Sequence, residues 1–159
     1  MSSKPRDWRG DLKWGERWER VIGLYLFFNG VTDIEYNNDN QFDISGFVKN
    51  NPVSFEVKSD RYSNTGNMAL EIMDAGKPSG VSVSKANVFI YNYTNLSDDY
   101  VFLYFIPLDK LKALLKENES TLRIIKGGDN KEASIVLLPM AKHQKSFKVI
   151  KLPKVSWYS

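Results

Sequence analysis

Apolar residues fall at helical spacing near the start of this chain and once more past its middle; elsewhere they come in short runs. Over residues 13–28, Trp14, Trp18, Val21, Tyr25 and Phe28 recur three and four apart. That spacing predicts an amphipathic helix with one apolar stripe, widened by Ile22 and Leu26, and the tryptophans on it read as core. Asn29-Gly30 supplies the residues that end a helix. Short strands follow at 31–36, 42–48 and 53–58, joined by Asn, Asp, Gly and Pro. Lys49-Asn50-Asn51-Pro52 has turn chemistry, which folds the last two into a hairpin. Residues 68–73 predict a further strand, 74–80 an irregular segment, and 82–86 a helical turn into a strand at 87–93. Another strand is expected at 100–106. Residues 88–91 and 101–106 are apolar at successive positions, so these strands belong inside a sheet covered on both faces. Pro107 opens a second helix running to Glu117. Strands at 121–126, 133–139 and 147–152 close the chain. The order predicts an α/β (α+β) domain with a mixed central sheet flanked by helices. One domain spans 1–159, with an N-terminal arm at 1–12 and a basic segment at 140–159.

Within the hairpin, Asp43 is followed after twelve residues by Glu56-Val57-Lys58. Alternation sends Val53, Phe55 and Val57 to one face and Ser54, Glu56 and Lys58 to the other. Two carboxylates and an ammonium on neighbouring strands can hold a hard divalent cation and orient a water beside it. A merely solvated strand face would carry the same residue types. Three features favour a site: the apolar runs beside these strands, further carboxylates on the preceding helix, and the polar loop after Lys58. In that loop Arg61, Tyr62, Asn64 and Asn67 could follow a substrate backbone. Glu71, mid-strand, and Lys85, at the start of the next helical turn, are secondary candidates.

Composition narrows the chemistry. The chain has 159 residues, 42% apolar and 13% aromatic, as expected of one folded domain with its own core. No apolar run is long enough to span a bilayer, and no signal-peptide pattern is expected at the start. Cysteine is absent, which excludes disulfides and thiolate metal sites and suits a reducing cytoplasm. The single histidine, His143, cannot build a histidine metal site and is expected to contact DNA or solvent. Any bound metal would therefore have oxygen ligands, favouring Mg2+, with Mn2+ as substitute.

Net charge is +3 but uneven. Residues 140–159 contain Lys142, Lys145, Lys148, Lys151 and Lys154 and no acid, while the first twenty residues carry six basic and four acidic side chains. Basic ends around an acidic centre suit a polyanion whose phosphates meet a metal. A lysine-rich tail that only aids solubility would look the same.

With Asp43, Glu56 and Lys58 on a hairpin after an acidic helix, the chain resembles the PD-(D/E)XK, or restriction-endonuclease-like, nucleases over residues 13–93. Phe42 stands where the motif's variable proline would be. Gly15-Glu16-Arg17-Trp18-Glu19-Arg20-Val21, followed by Asn29-Gly30, is similar to the opening of archaeal-type and phage-type Holliday junction resolvases. Residues 65–71 and 78–86 also resemble phage nucleases of this fold. The resemblance implies a Mg2+-dependent endonuclease acting on branched or four-way DNA, in a bacterial or archaeal cytoplasm or encoded by a phage. Asp43, Glu56 and the backbone carbonyl of Val57 would be metal ligands. Glu19, or else Glu16, would add the helix carboxylate, and Lys58 would sit beside the attacking water. A four-way junction is symmetric, so a homodimer is expected, and Trp8 and Trp14 have no assured place in so small a core. The alternatives are a repair or restriction-type nuclease, or a non-catalytic nucleic-acid-binding protein.

Overall fold

The computed structural model describes residues 8–37, 41–60, 65–94, 100–128 and 130–153, without the side chains of 8–13 and 94. Helix α1 spans Trp8–Phe28, starting earlier than its apolar stripe alone indicates. Residues 8–12 therefore continue the helix, with no proline to stop it, while 1–7 lie outside the described residues. The helix ends in a Schellman motif: Val31 N–H donates to Leu26 O and Gly30 N–H to Phe27 O, with Gly30 at φ +98°. Val31 and Leu26 are both buried, completing the motif's apolar contact. The buried stripe is Trp14, Trp18, Val21, Ile22 and Leu26. Phe28 is 80% exposed and so leaves the stripe assigned to it; it is the helix's last residue, one turn beyond the sheet-facing Tyr25. Trp14 meets Trp18 edge-on at 5.9 Å and is core, so it does have a place there.

Strands β1 (Thr32–Tyr36), β2 (Ile44–Val48) and β3 (Asn51–Asp60) form an antiparallel meander. Lys49 and Asn50 have φ of 49° and 66°, the two left-handed residues of a type I′ turn. A two-residue turn leaves Asn51 and Pro52 in β3, where Pro52 pairs with Phe47, rather than in a four-residue turn. Phe42 and Asp43 precede β2, and the Asp43 N–H donates to Phe55 O at 2.9 Å.

After β3 the chain forms β4 (Asn67–Asp74), β5 (Lys77–Pro78) and a 3-10 turn at Gly80–Ser82. It then returns as β6 (Val88–Thr94), parallel to β3. The segment read as irregular contains a second tight turn: Ala75 and Gly76, at φ 49° and 78°, let Lys77 and Pro78 pair with Asp74 and Met73. Of the helical turn expected at 82–86 only Ser82 is in this 3-10 turn, and residues 84–86 have no regular structure. Strand β7 (Tyr100–Pro107), helix α2 (Leu108–Glu117), β8 (Arg123–Gly127), β9 (Ala133–Pro139), α3 (Met140–His143) and β10 (Lys148–Pro153) complete the described chain.

Two sheets result, a six-stranded mixed sheet β1-β2-β3-β6-β7-β10 and a four-stranded sheet β5-β4-β9-β8. Alternation sorts the central strands between two cores. Ile90, Val101 and Leu103 face α1 with Ile44 and Phe55. Phe89, Tyr91, Tyr104 and Ile106 face Met68, Leu70 and Leu138 of the second sheet and Leu108 and Leu111 of α2. The interior strands are thus covered on both faces, as their apolar runs predict. Helices flank the sheet as expected, α1 on one face and α2 on the other, but a second sheet joins α2 on its face, because 67–74 and 133–139 alternate with strand period and pair with each other. Among the described residues no helix is long and apolar enough to cross a membrane.

Candidate active site

The hairpin delivers Asp43 and Glu56 to one place. Asp43 Oδ2 accepts the Val57 N–H at 2.7 Å, which clamps the residues before β2 onto β3. In the parallel pair Glu56 lies beside Phe89 and Lys58 beside Tyr91. Both therefore belong to the face of β3 turned toward the second sheet. Asn87 fixes the start of this pairing: its Oδ1 accepts from the Ser54 N–H at 2.8 Å, and its own N–H donates to Ser54 O at 2.9 Å.

The gap left between the sheets is a cleft of about 390 Å³, with Asp43 and Glu56 on one side and Glu71, Asp74, Ser79 and Gly80 on the other. A smaller hollow of about 150 Å³ brings Lys58, Val57 and Glu56 together with Glu71. Lys58 is exposed, while Asp43, Glu56 and Glu71 are half-buried.

Helix α1 contributes Glu19. It lies three residues before Ile22 and so borders the buried stripe, whereas Glu16 lies on the exposed side. Burial raises the Glu19 pKa from 4.5 to about 7, helped by the charges of Asp43 and Glu16 and opposed by Arg20. Burial likewise raises Glu56 to about 7, helped by Asp43 and Glu19 and opposed by the Ser84 hydroxyl and Lys58. Glu19 of α1 and the hairpin pair Asp43 and Glu56 thus feel one another's charges.

Oxygen donors with excess negative charge fit a hard divalent cation in their chemistry. In their spacing the fit is looser: among the described residues no three acidic or histidine side chains are drawn together tightly enough to ligate one ion.

Other expected residues are dispersed. Glu71 holds a fixed position, its Oε1 accepting from Ser79 Oγ at 2.7 Å, and it walls the cleft. Lys85 is exposed and its N–H donates to Gln41 O at 2.9 Å. Asn67 is half-buried where β4 pairs with Pro139 of β9. Arg61, Tyr62, Asn64 and Lys154 lie outside the described residues. Lys142, Lys145, Lys148 and Lys151 are exposed, but Lys148 and Lys151 are on β10, separated from β3 by β6 and β7. Three strand spacings place that edge roughly 14 Å from β3. Only 7% of His143 is exposed, so the contact with DNA or solvent expected of it is corrected: it ends α3 with its ring packed inside.

Two participants carry no role in the sequence reading. Ser84 is 3% exposed, and its hydroxyl donates to Glu56 Oε2 at 2.9 Å. Asp74 lines the cleft opposite Glu56. Ser84 falls in the 78–86 stretch whose resemblance to phage nucleases was its one signal; Asp74 had only its place in a turn. No protein-family model matches this chain, and no curated protein matches it either.

Proposed function

We propose that this protein is a metal-dependent endonuclease of the PD-(D/E)XK type that hydrolyses phosphodiester bonds in DNA, with branched DNA as its substrate. The observation that carries the reading is Asp43 and Glu56 on one wall of the cleft, with Lys58 on the same strand face as Glu56 and the charge of Glu19 felt from α1. Their mutual repulsion and the raised pKa values of Glu19 and Glu56 are what an oxygen-ligand cation site has before its cation is present. Asp43, Glu56, Glu19 and the Val57 carbonyl would hold a Mg2+ or Mn2+ ion, which would supply charge neutralisation at the scissile phosphate and lower the pKa of the attacking water. Asp43, tied to the Val57 N–H, keeps the hairpin ends together. Lys58 orients the attacking water and stabilises the negative charge that develops on phosphate oxygens. The exposed lysines of residues 142–151 supply sequence-independent attraction for phosphates, which suits recognition by shape. A symmetric junction calls for a homodimer acting at two points.

The test is nicking of labelled four-way junction, duplex and single-stranded DNA side by side, with Mg2+ and with excess chelator. Junction cleavage that needs the metal is expected. Cleavage of duplex alone would make this a restriction or repair type nuclease. The rival is a non-catalytic nucleic-acid-binding protein, which would bind junctions and cut none of them.

A further inference from the structure

We propose that Ser84 is the positioning residue for Glu56, holding Oε2 so that the carboxylate presents its other oxygen to the cleft; this rests on reading the cleft as a divalent-cation site. Ser84 has one hydroxyl proton and two acceptors within reach, Glu56 Oε2 at 2.9 Å and Gln41 O at 3.1 Å. Gln41 O already receives the Lys85 N–H at 2.9 Å. The proton goes to the carboxylate, the nearer acceptor, where the bond is charge-assisted when Glu56 is ionised. The Ser84 oxygen also accepts the Ala86 N–H at 3.3 Å, which leaves the hydroxyl little freedom to turn away.

The backbone around Ser84 is held at both ends. Its N–H donates to Gly80 O at 3.1 Å, and its carbonyl accepts from Lys112 Nζ of α2 at 3.2 Å. Ser84 thus couples the crossover between the sheets to a carboxylate of the candidate site. A carboxylate ligand whose hydrogen-bond partner is removed typically loses about 10–100-fold in metal affinity.

The experiment uses the full chain without DNA and follows Mn2+ binding by electron paramagnetic resonance, with Mg2+ as competitor. Ser84→Ala should weaken Mn2+ binding about 10–100-fold, and Ser84→Thr, which keeps the hydroxyl, should restore it. Ser84→Cys is close in size but a weak donor, so it reports on the bond even if the alanine variant folds poorly. It should also weaken binding. Adding Ser84→Ala to Glu56→Gln should cause no further loss, since the serine acts through that carboxylate. Wild-type affinity in both Ser84→Ala and Ser84→Cys, or a full additive loss in the double variant, would overturn the assignment. A wild-type chain that binds no Mn2+ overturns the cation reading itself, and the Ser84 role with it. That result differs from wild type and Ser84 variants binding alike, which sinks the serine role alone.

Discussion

Asp43 and Glu56 line the cleft, and the charge of Glu19 on α1 opposes both. Replacing Asp43 by Asn, Glu56 by Gln or Lys58 by Ala should lower junction cleavage at least about 100-fold in single-turnover assays. Each variant should stay folded, because the groups lie on the face of the hairpin turned from Phe55 and Ile44. Near-normal cleavage by any of them removes that residue from the mechanism. The raised pKa values also predict a pH dependence in metal-free protein. Glu19 and Glu56 sit at about 7 when folded against an ordinary 4.5, so the folded state holds their protons more tightly. The resulting stability is complete below pH 4.5 and is lost as pH rises through 7. Solvent reaches both groups, so the combined effect is discounted to on the order of 1–2 kcal/mol. That corresponds to a melting temperature about 2–8 °C lower at pH 8 than at pH 5. Calorimetry in chelator should show this fall. The Glu19→Gln and Glu56→Gln variants should each flatten it, and Mg2+ should reverse it at pH 8. An equal pH slope in wild type and both variants would contradict the electrostatic account.

Among the elements, the hairpin and the crossover carry the site. The type I′ turn at Lys49–Asn50 sets the register that puts Ile44 opposite Phe55, and that register is what lets Asp43 reach the Val57 N–H. Gly80 has the same importance for the crossover. Its φ is +53°, and a Cβ there would run into the Glu71 backbone carbonyl. Gly80→Ala should therefore cost about 1–3 kcal/mol in urea unfolding, and it should displace the turn that leads to Ser84. Cleavage should fall even in buffer where the variant is fully folded. Full stability in this variant would show that the turn is slack and cannot support the site. The pattern of apolar positions made α1, the hairpin and the interior strands legible. It did not reveal β5, because two residues after a left-handed pair leave no period to detect.

At the scale of the whole molecule, the lysines of β10 stand away from the carboxylates of the cleft. The carboxylates Asp43 and Glu56 face β4, and Lys148 and Lys151 are on β10, the far edge strand of the larger sheet. Lys148 and Lys151 are three apart on one strand and so point to opposite faces, with Lys151 stacked 3.8 Å over the Tyr100 ring. One phosphate track therefore cannot engage both equally. Replacing Lys142, Lys145 and Lys148 together by Ala should weaken binding to junction and duplex alike. The slope of log affinity against log salt should drop by roughly 0.9 for each lysine–phosphate pairing removed. An unchanged slope would make these lysines a solubility feature. Sedimentation of the protein with junction DNA should show two protomers per junction; a monomer making paired cuts would contradict the symmetry argument.

Local order in the chain was enough to place Asp43, Glu56 and Lys58 together, because strand alternation and a short turn are properties of neighbouring residues. It was likewise enough for the α1 stripe and for the doubly covered strands at 88–91 and 101–106. What local order could not do was choose between Glu16 and Glu19, since both are helix acids three apart. The packing of α1 on the sheet leaves Glu19 half-buried beside the apolar stripe and Glu16 exposed. Nor could it assign Ser84, forty-one residues beyond Asp43, or show Glu71 and Asp74 as the facing wall of the cleft. His143 read as a surface residue because a lone polar side chain in a lysine-rich stretch has no pattern that marks burial. Periodicity reports which side of an element is apolar. Which elements then face one another, and which polar groups are trapped between them, depends on interactions distant in sequence, and only the folded chain decides those.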